Sequence, residues 1–507
     1  MKLGLNVEMS VLARRAGFAL SAPLVLVIAL AAPVPGRAAA AAPVLVQLRA
    51  DAPRSARAAL VAAGGTLVVP QLRVWRLAAR DANTTIRTLR ARDAVSFVER
   101  DRLYTTAAAT AATVPPSDPL VADEWWRGDV HVDTLSPPPA GVPVTLVDSG
   151  VSFGHQEFSG DTNLVALNNQ EPAPLGGVHG TATASVVAAP VNGVGLVGIY
   201  PTATLRSYDA SLGDGTQLPA SEIAAGIVAA ETKGRSVINL SLGGPNRDRV
   251  IQAAVDAAVR SGSLVVAAAG NSGEEGNWLS YPAASSHVLT VGATDEADQP
   301  APFTTSSPFV DLAAPGVDIP VASALDNSYQ SESGTSFSSP MVAGAAAWLW
   351  TVRPELDASQ VAQILRDSAR DVGTPGYDNF TGFGILDLAA ALSAPSPQPD
   401  SAEPNDTTST ATVATTRSRA TGTARGRVAP FEDPRDVLRV WLPARKRVTV
   451  GIASDNGVGV TLAGVHATGT KTSLSLLNGK TGRTAYLTVT PRAGVRTALY
   501  TLKVSVG

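Results

Sequence analysis

The sequence contains no cysteine, and this absence excludes several kinds of function at once. A chain without thiols has no disulfide framework, no cysteine nucleophile and no cysteine-ligated metal. Histidine is almost as scarce, since the chain has only five among 507 residues. None of them shows the HExxH spacing of a zinc protease, so that class is excluded as well.

Charge is also low, which limits the possible partners. Charged residues make up 16% of the chain and the formal net charge is −3, so there is no basic footprint for nucleic acid. Hydrophobic residues make up 45%, enough for buried cores and too many for a disordered chain. At about 100 to 200 residues per domain, the length predicts two to four folded units.

The first 40 residues have the order of an export signal. Arg14 and Arg15 precede an apolar stretch at 16–35, and a tract of small residues follows at 38–42. This order predicts a signal peptide at 1–40, secretion, and no stable membrane insertion after cleavage. A retained anchor is the alternative, but alanines and prolines suit a membrane span poorly. The arginine pair leaves general and twin-arginine export both open.

Composition divides the rest of the chain into successive parts. Residues 43–104 alternate β-type runs with two helical stretches and predict a small α+β unit, followed by an exposed Ala/Thr/Pro linker at 105–116. Residues 117–392 alternate buried strands with alanine-rich helices, which predicts an α/β fold with a doubly wound, mainly parallel sheet. A Pro/Ser linker at 393–400 predicts domains that act independently, and 401–507 predicts a β-sandwich.

Three residues of the central part have the chemistry of nucleophilic catalysis. Asp148 follows a buried-strand run, where open α/β sheets place their ligands, while His179 and Ser336 each stand at the start of a helical stretch. A serine becomes a nucleophile when an imidazole takes its proton and a carboxylate orients that imidazole. Taken singly, each of the three residues suits a turn or a helix cap equally well.

The strings around these residues resemble the subtilisin-like serine proteases. That family carries its triad in DSG or DTG, HGT and GTS-x-[SA]-x-P segments. This sequence has DSG at 148–150, HGT at 179–181 and GTSFSSP at 334–340, in the same order. The resemblance spans about 118–392 and implies a serine endopeptidase that hydrolyses peptide bonds through an acyl-enzyme, with the three residues above as its triad.

The same resemblance implies the other residues of the site. The segment 238–244 is similar to the family's strand that pairs with the bound peptide. The segment 267–271 resembles the opposite wall of the specificity pocket and ends on Asn271, which would donate to the oxyanion. The substrate-binding residues implied in this way are Ser241, Leu242, Gly243, Ala268, Ala269 and Gly270.

The flanking parts also fit this family. Residues 43–104 resemble an inhibitor-type propeptide that occupies the cleft of its own protease, so 105–116 would contain the maturation cleavage of a zymogen. The EPND string at 403–406 resembles the start of a pre-peptidase C-terminal module, with a polar linker as the alternative. The implied partners are protein or peptide substrates and the chain's own propeptide, and a monomer is expected.

The resemblance implies no cofactor for catalysis, but it raises the question of a structural calcium ion. The glycine-rich loop at 192–198 lies where related enzymes fold around Ca²⁺, with Asn192 as one ligand and Glu157 as a carboxylate ligand. A glycine-rich turn without an ion fits the sequence equally well.

Two other functions remain open at this stage. A peptide ligase or macrocyclase on the same scaffold would keep the triad and Asn271. An inactive binding relative would have lost a triad member, and the sequence lacks none.

Overall fold

The computed structural model describes residues 43–507, apart from 80, 91, 107–111, 114–119, 170–177, 213–216, 401–402 and 431–432. The predicted signal peptide lies outside the described residues. None of the helices in the described ranges is both long enough and apolar enough to cross a membrane.

The first unit is a four-stranded antiparallel sheet with two helices, in the strand order β2-β3-β1-β4. In its first strand, Val44 and Val46 face the unit's own helices, while Leu45 packs on the following domain. The small α+β fold is therefore present as predicted. Its elements are β1 (Pro43–Leu48), α1 (Arg54–Ala62), β2 (Thr66–Val69), β3 (Val74–Ala78), α2 (Ala82–Arg90) and β4 (Val95–Arg100).

A seven-stranded parallel sheet forms the centre of the next domain, in the order β15-β14-β13-β11-β7-β9-β8. A 3₁₀ helix at Leu120–Asp123 precedes this sheet. The other elements from the connecting segment onward are β5 (Leu103–Thr106), β6 (Ala112–Thr113), α3 (Trp126–Asp129), β7 (Val144–Asp148), β8 (Leu164–Ala166), α4 (Val178–Ala188), β9 (Leu205–Asp209), β10 (Gln217–Pro219), α5 (Ala220–Glu231), β11 (Val237–Leu240), β12 (Leu242–Gly243), α6 (Arg249–Arg260), β13 (Leu264–Ala268), β14 (Val288–Thr294), β15 (Leu312–Pro315), β16 (Ile319–Ser323), β17 (Ser328–Glu332), α7 (Thr335–Val352), α8 (Ala358–Asp367) and α9 (Leu388–Ser393).

Side chains of the central strands alternate between two buried faces of this sheet. In β13, Val266 packs in the core formed with α4, α7 and α8, whereas Val265 and Ala267 pack against α5 and α6. Burial on both faces explains why the strands read as continuous apolar runs. The predicted doubly wound α/β fold is confirmed.

The C-terminal part is a mainly antiparallel sheet folded over a core of its own. The long strand β21 pairs with β24 through 448–454 and with β23 through 458–462, so it passes from one half to the other at an irregularity near Gly457. Both halves fill one core, as predicted for a sandwich. The strands are β18 (Thr412–Val413), β19 (Gly422–Val428), β20 (Asp436–Leu442), β21 (Arg447–Leu462), β22 (Val465–Leu477), β23 (Arg483–Pro491) and β24 (Ala498–Val506).

The segment 105–116, expected to be an exposed linker, is paired in both of its described parts. Strand β5 lies between β10 and β12, and β6 pairs with β17, in each case antiparallel. Backbone hydrogen bonds at a sheet edge require no particular side chains, so composition does not reveal them. The prediction of an exposed linker is therefore wrong for these residues.

The Pro/Ser tract at 393–400 is attached to the α/β domain. Arg353 at the end of α7 donates to the carbonyl oxygen of Ala394 at 2.7 Å. Further along the chain, the guanidinium carbon of Arg496 in the sandwich lies 3.7 Å from the ring centre of Tyr377 in the α/β domain. The two domains are in contact, and the independent action expected of them stays a prediction.

Gly180 allows α4 to begin directly against the turn that follows β7. A Cβ at this position would overlap the backbone carbonyl oxygen of Gly150. A backbone atom cannot move aside as the end of a flexible side chain can. We expect Gly180→Ala to displace the first turn of α4, with His179, and to lower the thermal midpoint, since overpacking costs about 1–3 kcal/mol. Gly154→Ala is the control, because a Cβ there would meet nothing within 4 Å. Equal thermal midpoints for the two variants would contradict this packing.

Candidate active site

Asp148 and His179 meet at one edge of the parallel sheet. Asp148 is the last residue of β7 and His179 is the second residue of α4, and His179 Nδ1 lies 2.8 Å from Asp148 Oδ1 and 3.1 Å from Oδ2. The carboxylate is buried and also accepts the backbone N–H of Ser149 at 2.7 Å. A carboxylate held in this way keeps the proton of the ring on Nδ1 and leaves Nε2 as the basic nitrogen.

Ser336 is the second residue of α7 and is fully buried next to this pair. Its hydroxyl donates to the carbonyl oxygen of Ser241 at 3.4 Å, which is a long hydrogen bond. His179 Nε2 has no hydrogen-bond partner among the described residues. The ring of the next residue, Phe337, lies 6.1 Å from the imidazole between centroids. The turn that carries Ser336 is therefore in contact with the imidazole through Phe337, while His179 Nε2 itself accepts no hydrogen bond from the described residues. Catalytic hydrogen bonds are often long or absent until substrate binds.

Asn271 follows β13, and its side chain is oriented by the start of α7. Its Oδ1 accepts the backbone N–H of Thr335 at 3.0 Å and the hydroxyl of the same residue at 2.8 Å. With the oxygen engaged, the donor Nδ2 faces Gly334, where a Cβ would lie 3.1 Å from it. This amide and the backbone N–H of Ser336, in the first turn of α7, are suited to stabilise a negatively charged oxygen.

A buried polar network behind Ser336 was not predicted from the sequence. Asn239 Nδ2 donates to Ser241 Oγ at 2.9 Å, and Ser241 Oγ donates to the carbonyl oxygen of Ser336 at 2.8 Å. The hydroxyl of Ser339 donates to Asn239 as well. These bonds fix the first turn of α7. The available signal was the polar type of these residues within otherwise buried runs, since buried polar groups need partners.

The predicted substrate-binding residues lie on two segments that follow the neighbouring strands β11 and β13. Leu242 and Gly243 form β12, where they pair with Thr106 and Thr105 of β5. The other segment continues from the end of β13 to Asn271 through Ala268, Ala269 and Gly270. The sequence did not predict β10, which pairs with β5 on the side opposite β12.

Two further carboxylates lie around the aspartate–histidine pair. Burial raises the pKa of Glu332, and the charge of His179 acts in the opposite direction. Burial also raises the pKa of Asp209, and the charge of Asp148 raises it further.

Glu157 and Asn192 are neighbours, but their side chains are engaged in hydrogen bonds within the protein. Asn192 Nδ2 donates to the carbonyl oxygen of Glu157 at 3.0 Å, and its Oδ1 accepts the N–H of Val194 at 2.8 Å. Glu157 Oε2 accepts the N–H of Leu196 at 3.0 Å. These bonds close the loop without an ion, so a Ca²⁺ ion at this place remains a prediction.

The sequence pattern of the subtilase family matches residues 140–384. Subtilisin DY from Bacillus licheniformis is 37% identical over 285 residues, which are 55% of this chain and 99% of that protein. An alkaline protease from Shouchella clausii is 32% identical over 298 residues, covering 59% of this chain and 74% of that protein.

A solved structure extends the likeness in fold beyond the matched stretch. Fervidolysin from Fervidobacterium pennivorans, described as a keratinolytic enzyme related to subtilisin, has a TM-score of 0.60 at 20% identity. The superposition covers 89% of this chain and 69% of that chain. At this identity the likeness concerns the fold alone.

Replacing Asn271 by leucine removes the Nδ2 donor and keeps a side chain of similar size. A donor with the predicted oxyanion role acts on charge that develops only in the transition state, so we expect kcat for peptide hydrolysis to fall while KM changes little. The expected drop is about 10² to 10³, the scale established for this donor in a subtilisin. Asn456→Leu, in the sandwich, makes the same chemical change as a control. An unchanged kcat with a raised KM would assign Asn271 to substrate binding alone.

Proposed function

Because the chain belongs to the subtilase family and is a serine endopeptidase, we propose that Asp148, His179 and Ser336 are its catalytic triad and that Asn271 supplies an oxyanion donor. The observation that carries this proposal is the contact of 2.8 Å between His179 and the buried Asp148, beside the helix start that holds Ser336. The substrates are peptide bonds in proteins.

The proposed reaction begins when the Ser336 hydroxyl turns from the Ser241 carbonyl to His179. His179 Nε2 takes the hydroxyl proton while Ser336 Oγ attacks the substrate carbonyl carbon, and Asp148 stabilises the imidazolium. Asn271 Nδ2 and the Ser336 N–H donate to the resulting oxyanion. His179 then protonates the leaving amine, and water attacks the acyl-enzyme by the same steps to release the acid product.

The proposed role of residues 43–104 is that of an inhibitory propeptide, and two carboxylates support it. Glu99 accepts the N–H groups of Arg249 and Val250, at 3.0 and 2.8 Å, at the start of α6. Asp101 accepts the N–H and the hydroxyl of Ser221, at 3.2 and 2.9 Å, near the start of α5. Both carboxylates occupy positive helix N-termini of the catalytic domain, which stabilises the docked state.

The proposed maturation cleavage lies between β5 and β6, within 107–111. In support, β5 fills the edge between β10 and β12 as an antiparallel strand, and the chain next pairs at β17 through β6. These are the places where a substrate would add as a strand on either side of its scissile bond. The chain is then a self-cleaving zymogen, and release of the propeptide opens the cleft.

The chain is further proposed to be exported by its N-terminal signal and to act outside the cell as a monomer. Hydrolysis is preferred to peptide ligation because the matching relatives are named subtilisins and alkaline proteases. An inactive binding role has no support, since the aspartate, histidine and serine are all present and the first two are in contact.

Ser336→Ala tests the nucleophile and the zymogen together. The variant lacks the attacking oxygen, so we expect no measurable peptide hydrolysis and an uncut propeptide after expression in a protease-free host. Intact-mass spectrometry measures the processing, and a phosphonyl fluoride should label Ser336 in the parent protein. Ser393→Ala, an exposed serine of α9, is the control. Normal N-terminal processing of Ser336→Ala would show that the chain does not mature itself.

Asp101 tests the inhibitory role of the propeptide. Adding peptide 43–106 to the mature protease should inhibit it, and the Asp101→Ala peptide should inhibit about 10- to 100-fold less, because bonds to a charged group are lost. Asp51→Ala is the matched control, since Asp51 is exposed and pairs with Arg49 of the same unit. Equal inhibition constants for the two altered peptides would contradict the assigned role of Asp101.

A further inference from the structure

The charges of this chain are distributed unevenly along its length. Residues 407–507 contain 15 lysines and arginines but only four aspartates and glutamates, which gives a formal charge of +11. The first 406 residues therefore carry −14, and the net charge of −3 for the whole chain conceals this division. Such an asymmetry indicates a part of the protein that associates with negatively charged partners.

Part of this positive charge lies on one face of the sandwich. The strands β19, β24, β21 and β22 pair in that order, and residues directly opposite each other in a sheet point to the same side. Lys503 lies opposite Gly451 of β21, and Lys471 lies opposite Ala453, two residues further along the same strand. The alternate residues of these strands fill the core. The outer side, which carries Arg425, Arg447, Lys471 and Lys503, is called the cationic face.

The charge of the cationic face is not neutralised by the protein. All four basic residues are exposed, and none of them forms an ion pair with a carboxylate of the described residues. The paired stretches 422–425, 447–453, 471–477 and 501–506 contain no aspartate or glutamate. Asp455 follows soon after, but its Oδ1 accepts the backbone N–H groups of Asn456 and Leu499, at 2.6 and 3.0 Å. The positive potential of this face is therefore directed to the solvent.

An open trough of about 880 Å³ lies on the cationic face between its two lysines. Lys471 and Lys503 stand on the strands that flank β21, so their backbones are about 10 Å apart across the sheet. The floor is formed by Gly451 and Ala453 of β21, and a Cβ on Gly451 would meet nothing within 4 Å. A chain-like ligand could therefore lie on the sheet with a positive charge on either side.

Hydroxyl groups occupy the positions between these charges. They belong to serines and threonines on all four strands of the cationic face, namely Thr423, Thr449, Ser473, Ser475, Thr501 and Ser505. A hydroxyl both donates and accepts hydrogen bonds, whereas lysine and arginine only donate. The face is thus suited to a ligand that carries negative charges and hydroxyl groups together.

We propose that the cationic face binds a linear acidic polysaccharide. Carboxylates of the polysaccharide pair with Lys471 and Lys503, and its sugar hydroxyls form hydrogen bonds with the serines and threonines between them. This binding holds the protein on an acidic polysaccharide matrix and uses no residue of the proposed triad.

Other polyanions fit the cationic face less well. Its residues in the four paired stretches include no aromatic ring on which unpaired bases could stack. Its outer strands are about 14 Å apart, which is too wide for the major groove of duplex DNA, where a two-stranded ribbon fits. A membrane surface favours large apolar side chains, and within the same stretches the face offers only Leu477, at its edge.

The test uses the full chain with Ser336→Ala, which prevents self-digestion. The probe is polygalacturonate, and its fully methyl-esterified form is the uncharged match. Binding is measured by calorimetric titration at low ionic strength. We expect saturable binding of polygalacturonate, no binding of the ester, and a loss of affinity as salt is added, because salt screens pairs of exposed charges.

Paired lysine variants locate the binding site. Lys471→Gln with Lys503→Gln should weaken binding about 10-fold, since two charge contacts are lost. Lys446→Gln with Lys480→Gln is the matched control, because it removes the same charge at exposed positions between strands, outside the trough, and it should bind like the parent. Equal thermal midpoints of the two double variants confirm that both are folded.

Several results would overturn the proposal. They are no binding of polygalacturonate by the parent, equal affinities for the two double variants, and equal binding of the methyl ester. Tighter binding of duplex DNA or of anionic lipid vesicles, at the same concentration of negative charge, would assign the cationic face to a different partner. Because the parent already lacks the Ser336 hydroxyl, none of these results bears on the proposed protease activity.

Discussion

The burial of α7 against the sheet and α4 is the constraint on which the active site depends. Nearly all of this helix is buried, and its first turn carries Ser336. The same turn holds Asn271 through Thr335 and is itself held by Ser241 beneath it. Because a close-packed interior permits little movement, these contacts hold Ser336 and Asn271, the proposed nucleophile and amide donor, in fixed positions before any substrate binds.

The cleft uses backbone hydrogen bonding, and the propeptide and a substrate would compete for the same strand edges. β5 occupies the space between β10 and β12 without requiring a particular side chain. Under the proposed role of residues 43–104, selectivity for this unit would arise from Glu99 and Asp101, which bind the starts of α6 and α5. A cleaved tail can therefore remain bound until these outer contacts are lost.

Buried charged side chains gather where the sandwich meets the catalytic domain. The contacts of Arg353 and Arg496 bring the two parts together, and Asp400, Glu403 and Asp433 lie beside this junction. Burying carboxylates is unfavourable unless opposite charges lie close by, and Arg427 is a basic neighbour whose charge acts on Asp400 and Asp433. Charge thus matters at this junction, in contrast to the apolar packing that holds α7.

The sequence by itself determined the α/β fold and the residues of the candidate triad, because strand periodicity and the DSG, HGT and GTS strings are local signals. Tertiary structure decided the pairing of β5 and β6, the attachment of the Pro/Ser tract, and the direction of the Ser336 hydroxyl towards Ser241. It also decided that Asp400 and Asp433, 33 positions apart, share one buried site. Pairing at a sheet edge uses backbone groups that all residues have. The meeting of Asp400 and Asp433 depends on segments that are distant in the sequence. Neither feature therefore produces a local sequence pattern from which it could be predicted.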